Sequence, residues 1–344
     1  MQRPARASDM GLACGVLLTG ELNSITDVPG IRVGHCTLIN GSIRTGVTAI
    51  VPHGANLYRE KPVAAVHVLN GFGKSAGLVQ VEELGTIETP ILLTNTLSVG
   101  TCCTALVRHA IKHNPDIGRE TATVNPVVFE CNDGYLSDIQ ALAVTEEDAR
   151  AALANASSCF DVGSVGAGCG MSTFGFKGGI GTSSRRITLD GQNFHLGVLV
   201  LSNFGRAGDL RLPDGRLIAP PETQMEELAA EKGSIIIIVA TDVPLNDRQL
   251  KRVIRRSGVG LARLGSFWGH GSGDIALGFT TANLLSHDEK AAVVDMRVLN
   301  ENRIDLLFQA TADATQEAVL DALIAAGSMT GRDGHHRPAL TDAL

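Results

Sequence analysis

The sequence has few aromatic residues, no surplus of basic residues and no long apolar run. Phe, Tyr and Trp make up 4% of its 344 residues, and 29 Lys and Arg stand against 36 Asp and Glu. A net charge of −7 offers no basic surface for a polyphosphate backbone, so we expect no nucleic-acid partner. No stretch reaches the ~20 apolar residues of a membrane-spanning helix, so we expect no membrane partner either.

Motifs for metals, nucleotides and disulfides are also missing. The seven cysteines are odd in number and form no CxxC pair, which is typical of reduced, buried thiols. The sequence contains no HExxH and no GxxxxGK[ST] phosphate loop. We therefore predict no metal and no cofactor. The apolar run at 10–19 contains two glycines and no clear cleavage site, so a cytoplasmic location is expected, with the periplasm left open.

The chain is long enough to bury a large core in which helices and strands are mixed. Strand-length runs rich in β-branched residues predict strands at 47–52, 63–70, 89–94, 196–202, 234–240 and 293–299. Apolar periodicity and end signals predict helices at 100–113, 146–155, 222–232, 247–256 and 315–326. Because strands and helices do not alternate regularly, a doubly wound sheet and stacked sheets covered by helices both remain open. The tail at 328–344 is expected to be flexible.

Glycine is abundant, with 39 residues, and it is densest at 163–185. There, Gly166, Gly168 and Gly170 give GxGxG rather than the GxGxxG of dinucleotide-binding loops, so nucleotide binding is disfavoured. Two interpretations remain open. The glycines form tight turns, or the backbone amides around Gly166 and Gly168 line a small substrate pocket.

Gly233 and Ser234 lie between an acidic helical pattern and the apolar run SIIIIVA. Local sequence alone favours a helix-ending glycine followed by a polar strand opener. The alternative is self-cleavage, in which Ser234 attacks the carbonyl of Gly233 and the resulting ester is hydrolysed. Ser234 would then begin a new chain and carry both a nucleophile and an amine base. Such an α-amine has a typical pKa of about 7.7–8.0, so part of it is unprotonated near neutrality.

Six motifs between Ile25 and Ala326 favour the second interpretation. In chain order they are ITDVPGIRVGH, NPVVFECNDGYLSD, GSVGAGCGM, FKGGIGTSSR, SIIIIVATDVPLNDRQLKRVIRRSGVGLARLG and GSGDIALGFTTAN. Together they resemble the self-processing N-terminal-serine aminopeptidases, which include the L-aminopeptidase/D-amidase-esterases and the β-peptidyl aminopeptidases. The resemblance implies a four-layer α/β/β/α sandwich, cut into chains 1–233 and 234–344 of a single domain spanning 1–344. It also implies further assembly, expected to be a homotetramer of processed units.

The resemblance also assigns roles to individual residues. It places the nucleophile on Ser234, an oxyanion donor on Asn203 and an active-site tyrosine on Tyr135. The family's Ser-x-acid motif falls on Ser272 and Asp274, whose i, i+2 spacing would put both side chains on one face of a strand, directed at Ser234. Ser272 would relay a hydrogen bond to the nucleophile, and Asp274 would orient Ser272 or hold the α-ammonium. The β-peptidyl aminopeptidases have Glu where this chain has the shorter Asp274, which leaves open whether that carboxylate contacts the α-amine directly.

The implied activity is release of an N-terminal residue from small peptides, amides or esters through an acyl-enzyme on Ser234. Glu130 and Asp133 are candidates for binding the amine of the substrate, with solvated loop carboxylates as the alternative. Two rival functions remain. One is an acyltransferase of the ornithine acetyltransferase type, although those proteins place Thr at the nucleophile, and the other is a binding protein that does not process itself.

Overall fold

The computed structural model describes residues 5–221 and 232–344. Its strands are β1 (Arg32–Asn40), β2 (Ile43–Val51), β3 (Glu60–Gly71), β4 (Ile91–Asn95), β5 (Val127–Cys131), β6 (Ser172–Thr173), β7 (Phe176–Lys177), β8 (Gly179–Leu189), β9 (Gln192–Asn203), β10 (Leu210–Arg211), β11 (Leu217–Ile218), β12 (Lys232–Thr241), β13 (Gly271–Ser286), β14 (Met329–Thr330) and β15 (His336–Arg337). Its helices are α1 (Leu78–Leu84), α2 (Val99–His113), α3 (Glu146–Ala154), α4 (Asp247–Ile254), α5 (Ser257–Arg263) and α6 (Asp305–Ile324).

Two mixed sheets form the centre of the fold. One has the strand order β1-β2-β4-β5, and the other has the order β3-β13-β12-β9-β8. The pairs β4–β5 and β12–β13 are parallel, and the remaining neighbours in both sheets are antiparallel. Strand β12 is therefore central, with β13 on one side and β9 on the other.

Alternating side chains of the central strands define four layers. Ile236 of β12 and Leu93 of β4 belong to an apolar cluster between the two sheets. Their chain neighbours Ile237 and Leu92 belong to two different clusters, which pack against α4–α6 and against α2–α3 respectively. Each sheet thus packs one face against the other sheet and its second face against helices. The architecture is therefore an α/β/β/α sandwich, as the sequence resemblance implies.

Most predicted helices and strands are confirmed. Helix α3 begins with the expected capping box, in which Thr145 and Asp148 satisfy each other's backbone amides. Helix α6 begins at Asp305, well before the predicted start at 315, and its interior carboxylates are buried and paired, as in the contact between Glu317 and Arg185. The predicted helix at 222–232 lies outside the described residues except for Lys232, which opens β12.

The predicted strand at 293–299 is wrong. This segment is irregular, and Val293 is 84% exposed while Val294 and Val298 are both 53% exposed. A strand is stabilised by a paired neighbour and a buried face, and this segment has neither within the described structure. Its β-branched composition therefore does not produce a strand here.

The C-terminal residues 328–344 differ from the flexible tail that the sequence predicts. Strands β14 and β15 form a short antiparallel pair, and Leu340 is fully buried. The backbone amide of Lys177 donates a hydrogen bond of 2.9 Å to Pro338 O. These contacts pack the C-terminal segment against the turn that carries β6 and β7.

Candidate active site

Three strands bring the main predicted site residues together at the beginning of β12. Ser234 lies in register with Asn203 of β9 and with Gly273 of β13, and its side chain is buried with 5% exposure. Ser272 and Asp274 lie in register with the two chain neighbours of Ser234. Cross-strand partners stand about 4.5–5.5 Å apart at Cβ, so residues far apart in sequence meet around one hydroxyl.

The hydroxyl of Ser234 has a backbone partner that the sequence does not reveal. Gly273 N–H donates a hydrogen bond of 3.2 Å to Ser234 Oγ. A Cβ atom at position 273 would stand 2.9 Å from that oxygen and 2.7 Å from Phe72 O. Glycine at the centre of the Ser-x-acid motif therefore allows the two strands to approach at the hydroxyl.

Ser272 and Asp274 form a buried pair beside Ser234. Ser272 Oγ donates to Asp274 Oδ1 at 2.6 Å, and the same oxygen accepts a 3.2 Å hydrogen bond from Ile235 N–H. Both side chains are fully buried. The carboxylate thus reaches the backbone next to Ser234, whereas the contact to the Ser234 hydroxyl comes from Gly273 between them. Asp274 is thus hydrogen-bonded to Ser272, and the predicted relay from Ser272 to the Ser234 hydroxyl stays a prediction.

Gly233 has a backbone conformation that favours glycine. Its φ is +121°, and a Cβ atom at this position would stand 2.0 Å from Asn203 O. On one side of the Gly233–Ser234 peptide bond, Gly233 therefore tolerates no side chain, and on the other side Ser234 carries a buried hydroxyl. Gly233 lies within β12 and does not end a helix.

The amide of Asn203 is held from two directions. Its Oδ1 accepts a hydrogen bond of 2.8 Å from Ser172 N–H, and its Nδ2 donates one of 3.0 Å to Asn132 O. These partners fix which end of the amide carries the hydrogens. An amide nitrogen has two hydrogens, and the bond to Asn132 uses one of them.

Tyr135 lies in the turn after β5 and is covered by the C-terminal segment. Its ring stacks on His335 with centroids 4.7 Å apart, and the guanidinium of Arg337 lies 3.8 Å from the ring centroid. His335 Nδ1 also lies 2.8 Å from Tyr135 O. Within residues 5–221 and 232–344, the Tyr135 hydroxyl makes no hydrogen bond to Ser234, so its predicted contact with the reacting centre stays a prediction.

Glu130 and Asp133 are both buried, which excludes the alternative of solvated loop carboxylates. Glu130 Oε1 accepts a 2.8 Å hydrogen bond from Lys74 N–H, and Oε2 accepts one from the Thr96 hydroxyl. A Cβ atom on Gly73 would stand 3.4 Å from Glu130 Oε1 and 3.9 Å from the Cα of Gly273, so this carboxylate lies beside the strand that contacts Ser234.

Asp133 differs from Glu130 in its surroundings. It is fully buried, and burial raises the pKa of its carboxyl to about 7. A Cβ atom on Gly170 would stand 2.8 Å from the Cβ of Asp133, so the glycine-rich segment packs directly against it. The structure therefore places Asp133 in a buried turn, where holding a charge is costly.

The amides of Gly166 and Gly168 are used inside the fold. Gly166 N–H donates to Thr37 Oγ1 at 2.7 Å, and Gly168 N–H donates to Val165 O at 2.8 Å. Both glycines are buried in one tight turn. This arrangement corresponds to the tight-turn interpretation rather than to a loop whose amides line a substrate pocket.

Two further groups near the site carry no sequence signal. Cys131 Sγ lies 3.3 Å from Ser234 O, and burial raises the pKa of this thiol well above its usual value. Lys177 is fully buried on the short strand β7. A single cysteine or lysine in an apolar context has no pattern from which such a position could be predicted.

The described residues show neither a metal-binding group of side chains nor a membrane-spanning helix. In those ranges, no group of three or more His, Cys, Asp or Glu side chains has the arrangement of a metal site. Among the helices of the same ranges, none combines the length and the apolarity needed to cross a bilayer.

Comparison with known proteins identifies the family. A family model described as Peptidase family S58 matches residues 23–337. The chain is 38% identical to the β-peptidyl aminopeptidase BapA of Sphingosinicella microcystinivorans, over 96% of this chain and 88% of that protein. Among solved structures, the PH0078 protein of Pyrococcus horikoshii OT3 is 46% identical with a TM-score of 0.92, over 98% of this chain and 96% of that one.

A third relative carries the fold assignment. The L-aminopeptidase D-Ala-esterase/amidase of Ochrobactrum anthropi is 37% identical with a TM-score of 0.88, over 97% of this chain and 95% of that one. Its structure is described as a prototype for the serine aminopeptidases and as a variant of the N-terminal-nucleophile hydrolase fold. This chain therefore belongs to peptidase family S58 and is a hydrolase of the N-terminal-nucleophile serine aminopeptidase type.

Proposed function

We propose that Ser234 is the nucleophile of both self-cleavage and substrate hydrolysis. The observation that carries this proposal is the position of Ser234, buried at the start of β12 directly after the side-chain-intolerant Gly233. In self-cleavage, Ser234 Oγ attacks the carbonyl carbon of Gly233, and the peptide nitrogen leaves with a proton to give an ester. Water hydrolyses the ester, which frees the Gly233 carboxylate, the Ser234 hydroxyl and the Ser234 α-amine.

The same hydroxyl then attacks the substrate. The α-amine of Ser234 accepts the hydroxyl proton as Oγ bonds to the substrate carbonyl carbon, and the carbonyl oxygen becomes an oxyanion. The free Nδ2 hydrogen of Asn203 stabilises this charge. The leaving amine or alcohol takes the proton from the α-ammonium, and water releases the acyl group by the reverse sequence of steps.

The pair Ser272 and Asp274 supports the α-amine electrostatically. Asp274 accepts hydrogen bonds from Ser272 Oγ and from Ile235 N–H, so its carboxylate lies one residue from the nitrogen that becomes the new chain terminus. A buried carboxylate at this distance favours the protonated amine that forms as the hydroxyl loses its proton. Asp274 therefore acts on the base, and Ser272 fixes the orientation of Asp274.

Glu130 is the better of the two candidates for binding the substrate amine. Its carboxylate accepts one backbone and one hydroxyl hydrogen bond, so acceptor positions remain on both oxygens. Asp133 has a pKa of about 7 and is less able to supply a full negative charge at neutral pH. We therefore assign the amine subsite to Glu130, with Asp133 in a supporting position.

Changing Glu130 to Gln is expected to raise the KM of an aminoacyl p-nitroanilide by about 30-fold or more, because losing one partner of a buried charge pair costs about 2 kcal/mol or more. Steady-state kinetics on an aminoacyl substrate and on its analogue without the amine checks this expectation. The matched control is Glu88→Gln, which changes a buried carboxylate paired with Lys61. Equal KM for wild type and Glu130→Gln would remove Glu130 from the amine subsite.

Changing Gly233 to Ala is expected to leave most of the protein uncut, because the added methyl group would collide with Asn203 O at 2.0 Å. The matched control is Gly191→Ala. Gly191 also has a positive φ, of +81°, but no atom lies within 4 Å of the added Cβ. Denaturing electrophoresis of both variants separates the collision from general backbone strain. Normal cleavage of Gly233→Ala would contradict the proposed geometry.

The purified wild-type protein tests the proposal as a whole. Dividing 36.0 kDa in the ratio of 233 to 111 residues gives fragments of about 24 and 12 kDa, the smaller beginning Ser-Ile-Ile-Ile-Ile. Denaturing electrophoresis with intact mass detects them, and aminoacyl p-nitroanilides report hydrolysis. A protein that stays one chain and hydrolyses none of these substrates would instead support the non-processing binding protein. Transfer of the acyl group to an amine acceptor in preference to water would support the acyltransferase, which the aminopeptidase relatives do not favour.

Substrates are proposed to be small peptides, amides or esters. Relatives are named as β-peptidyl aminopeptidases and as an L-aminopeptidase with D-Ala-esterase/amidase activity, so both classes are relevant. A panel of L-, D- and β-aminoacyl substrates ranks them by kcat/KM. One methylene changes such discrimination by only about 1–3 kcal/mol, so measurable activity on more than one class is expected.

We also propose that the processed units form a homotetramer in the cytoplasm. Support for assembly comes from the exposed apolar segment at 293–298, where Val293 is 84% exposed. Support for a reducing compartment comes from the seven cysteines, which are all free thiols. Light scattering after gel filtration gives the mass of the assembly, and a mass of one processed unit would contradict the tetramer. Fractionation of the source cells would contradict the location if activity appeared outside the cytoplasm.

A further inference from the structure

The orientation of the Asn203 amide depends on a short hairpin from the glycine-rich segment. Strands β6 and β7 pair through Ser172–Lys177 and Thr173–Phe176, so residues 172–177 form this hairpin. The N–H at its first residue, Ser172, donates to Asn203 Oδ1 at 2.8 Å. Whatever fixes the base of the hairpin therefore also fixes the amide of Asn203.

Lys177 ties the base of that hairpin from inside. Its Nζ donates hydrogen bonds to Gly168 O at 3.0 Å, to Met171 O at 3.0 Å and to Gly178 O at 2.7 Å. An ammonium group has three hydrogens, so these bonds use all of them. Gly168 and Met171 precede the hairpin and Gly178 follows it, so the ammonium joins its two ends.

Packing alone does not explain a lysine at this position. The side chain of Lys177 is fully buried, and its three acceptors are neutral carbonyl groups. Removing an ammonium from water is unfavourable, and burial lowers the pKa of Lys177 to about 7. An apolar side chain of similar length would fill the same space without this penalty. The cost is consistent with a role that needs three fixed donors.

The C-terminal segment holds the same hairpin from outside. Lys177 N–H donates to Pro338 O at 2.9 Å, and Arg337 Nε donates to Ser172 Oγ at 3.3 Å. These two contacts fix the first and the last residue of the hairpin, Ser172 and Lys177, against the C-terminal segment. The backbone bond from Gly178 N–H to Met171 O, at 2.9 Å, also joins the two ends, and the ammonium of Lys177 adds a side-chain tie between the same residues from inside.

We propose that Lys177 is a positioning residue for the oxyanion donor. By joining the ends of the hairpin, it fixes Ser172 N–H against Asn203 Oδ1 and thereby directs the free Nδ2 hydrogen of Asn203 toward the oxyanion. This inference rests on the role of Asn203 given under the proposed function. It assigns to Lys177 no contact with the substrate.

A double-mutant cycle tests the inference through the pair Lys177→Met and Asn203→Ala. Lys177→Met alone is expected to lower kcat by about tenfold or more with little change in KM, since a misdirected donor loses part of the 10²–10³-fold effect of an oxyanion-hole group. In the Asn203→Ala background the same change is expected to lower kcat by less than about threefold, because residues that act through one another are not additive. Electrophoresis of the same samples gives the cleaved fraction, to which kcat is referred.

Several outcomes would overturn the inference. An equal loss from Lys177→Met in both backgrounds would indicate a general structural role, and an unchanged kcat would indicate none. The matched control is Lys61→Met, which removes a lysine paired with Glu88 and is expected to keep kcat. If Asn203→Ala itself keeps full activity, the proposed role of Asn203 fails, which is a result distinct from additive losses.

A second variant covers the case in which Lys177→Met does not fold. Lys177→Gln keeps two N–H donors and is expected to show a smaller loss of kcat, with a melting temperature that confirms folding. The cycle is then carried out with this variant. A folded Lys177→Gln protein with wild-type kcat and wild-type cleavage would contradict the positioning role.

Discussion

Changing Ser234 to Ala is expected to leave a single chain of 36.0 kDa that hydrolyses no aminoacyl substrate. The variant loses the oxygen that attacks Gly233, so no ester forms and no new α-amine appears. Both nucleophile and base are then missing, and loss of the nucleophile in a serine hydrolase costs about 10⁶ in kcat. Intact mass of the purified variant and initial rates on aminoacyl p-nitroanilides measure the two effects separately.

The matched control is Ser183→Ala. Ser183 is equally buried in the same sheet, but its hydroxyl donates to Ala314 O on the side that packs against α6. This variant is expected to be cleaved and active, which separates the Ser234 effect from loss of a buried hydroxyl. Cleavage of the Ser234→Ala protein at its normal position would assign the nucleophile to another residue.

The sandwich could be predicted from sequence because its central strands carry a strong local signal. The run at 235–239 is β-branched throughout, and the structure buries both of its faces, with Ile236 between the sheets and Ile237 against the helices. A strand of alternating polarity would have indicated one wet face. The sequence pattern does not define which strand pairs with which. The family resemblance predicted the four layers but not the strand order β3-β13-β12-β9-β8, which only the structure shows.

Two segments show why local composition misled. The apolar residues at 293–299 have strand composition, but in the structure they are solvent-exposed and irregular. The polar residues at 328–344 look like a tail, yet His335 and Arg337 pack on Tyr135. In both cases the outcome depends on what the rest of the chain places beside the segment, and a window of ten residues carries no information about that.

The sequence indicated which side chains belong to the site, but it did not indicate which backbone groups contact them. The family resemblance assigned roles to Ser234, Asn203, Ser272 and Asp274, and the structure has these residues on neighbouring strands. They did not indicate that the Ser234 hydroxyl is met by the amide of Gly273, because every residue except proline has such an amide. The register of β12 and β13 alone selects this one.

Changing Asn203 to Ala is expected to lower kcat by about 10²–10³, because it removes the donor available to the oxyanion. The self-cleavage reaction passes through a similar tetrahedral oxyanion, so processing of the variant should also be slow. The isosteric change Asn203→Asp keeps the oxygen that accepts from Ser172 N–H but replaces the donor with a negative group. It is therefore expected to be at least as inactive.

The matched control for this prediction is Asn283→Ala. Asn283 is a buried amide on β13 that donates to Leu245 O at 3.0 Å, away from Ser234. Single-turnover rates and KM on one aminoacyl substrate distinguish the cases. A loss in kcat with an unchanged KM shows an interaction made in the transition state, whereas a loss confined to KM shows ground-state binding. An unchanged kcat would remove Asn203 from the oxyanion hole and leave the amide of Gly273 as the nearest donor to the Ser234 hydroxyl.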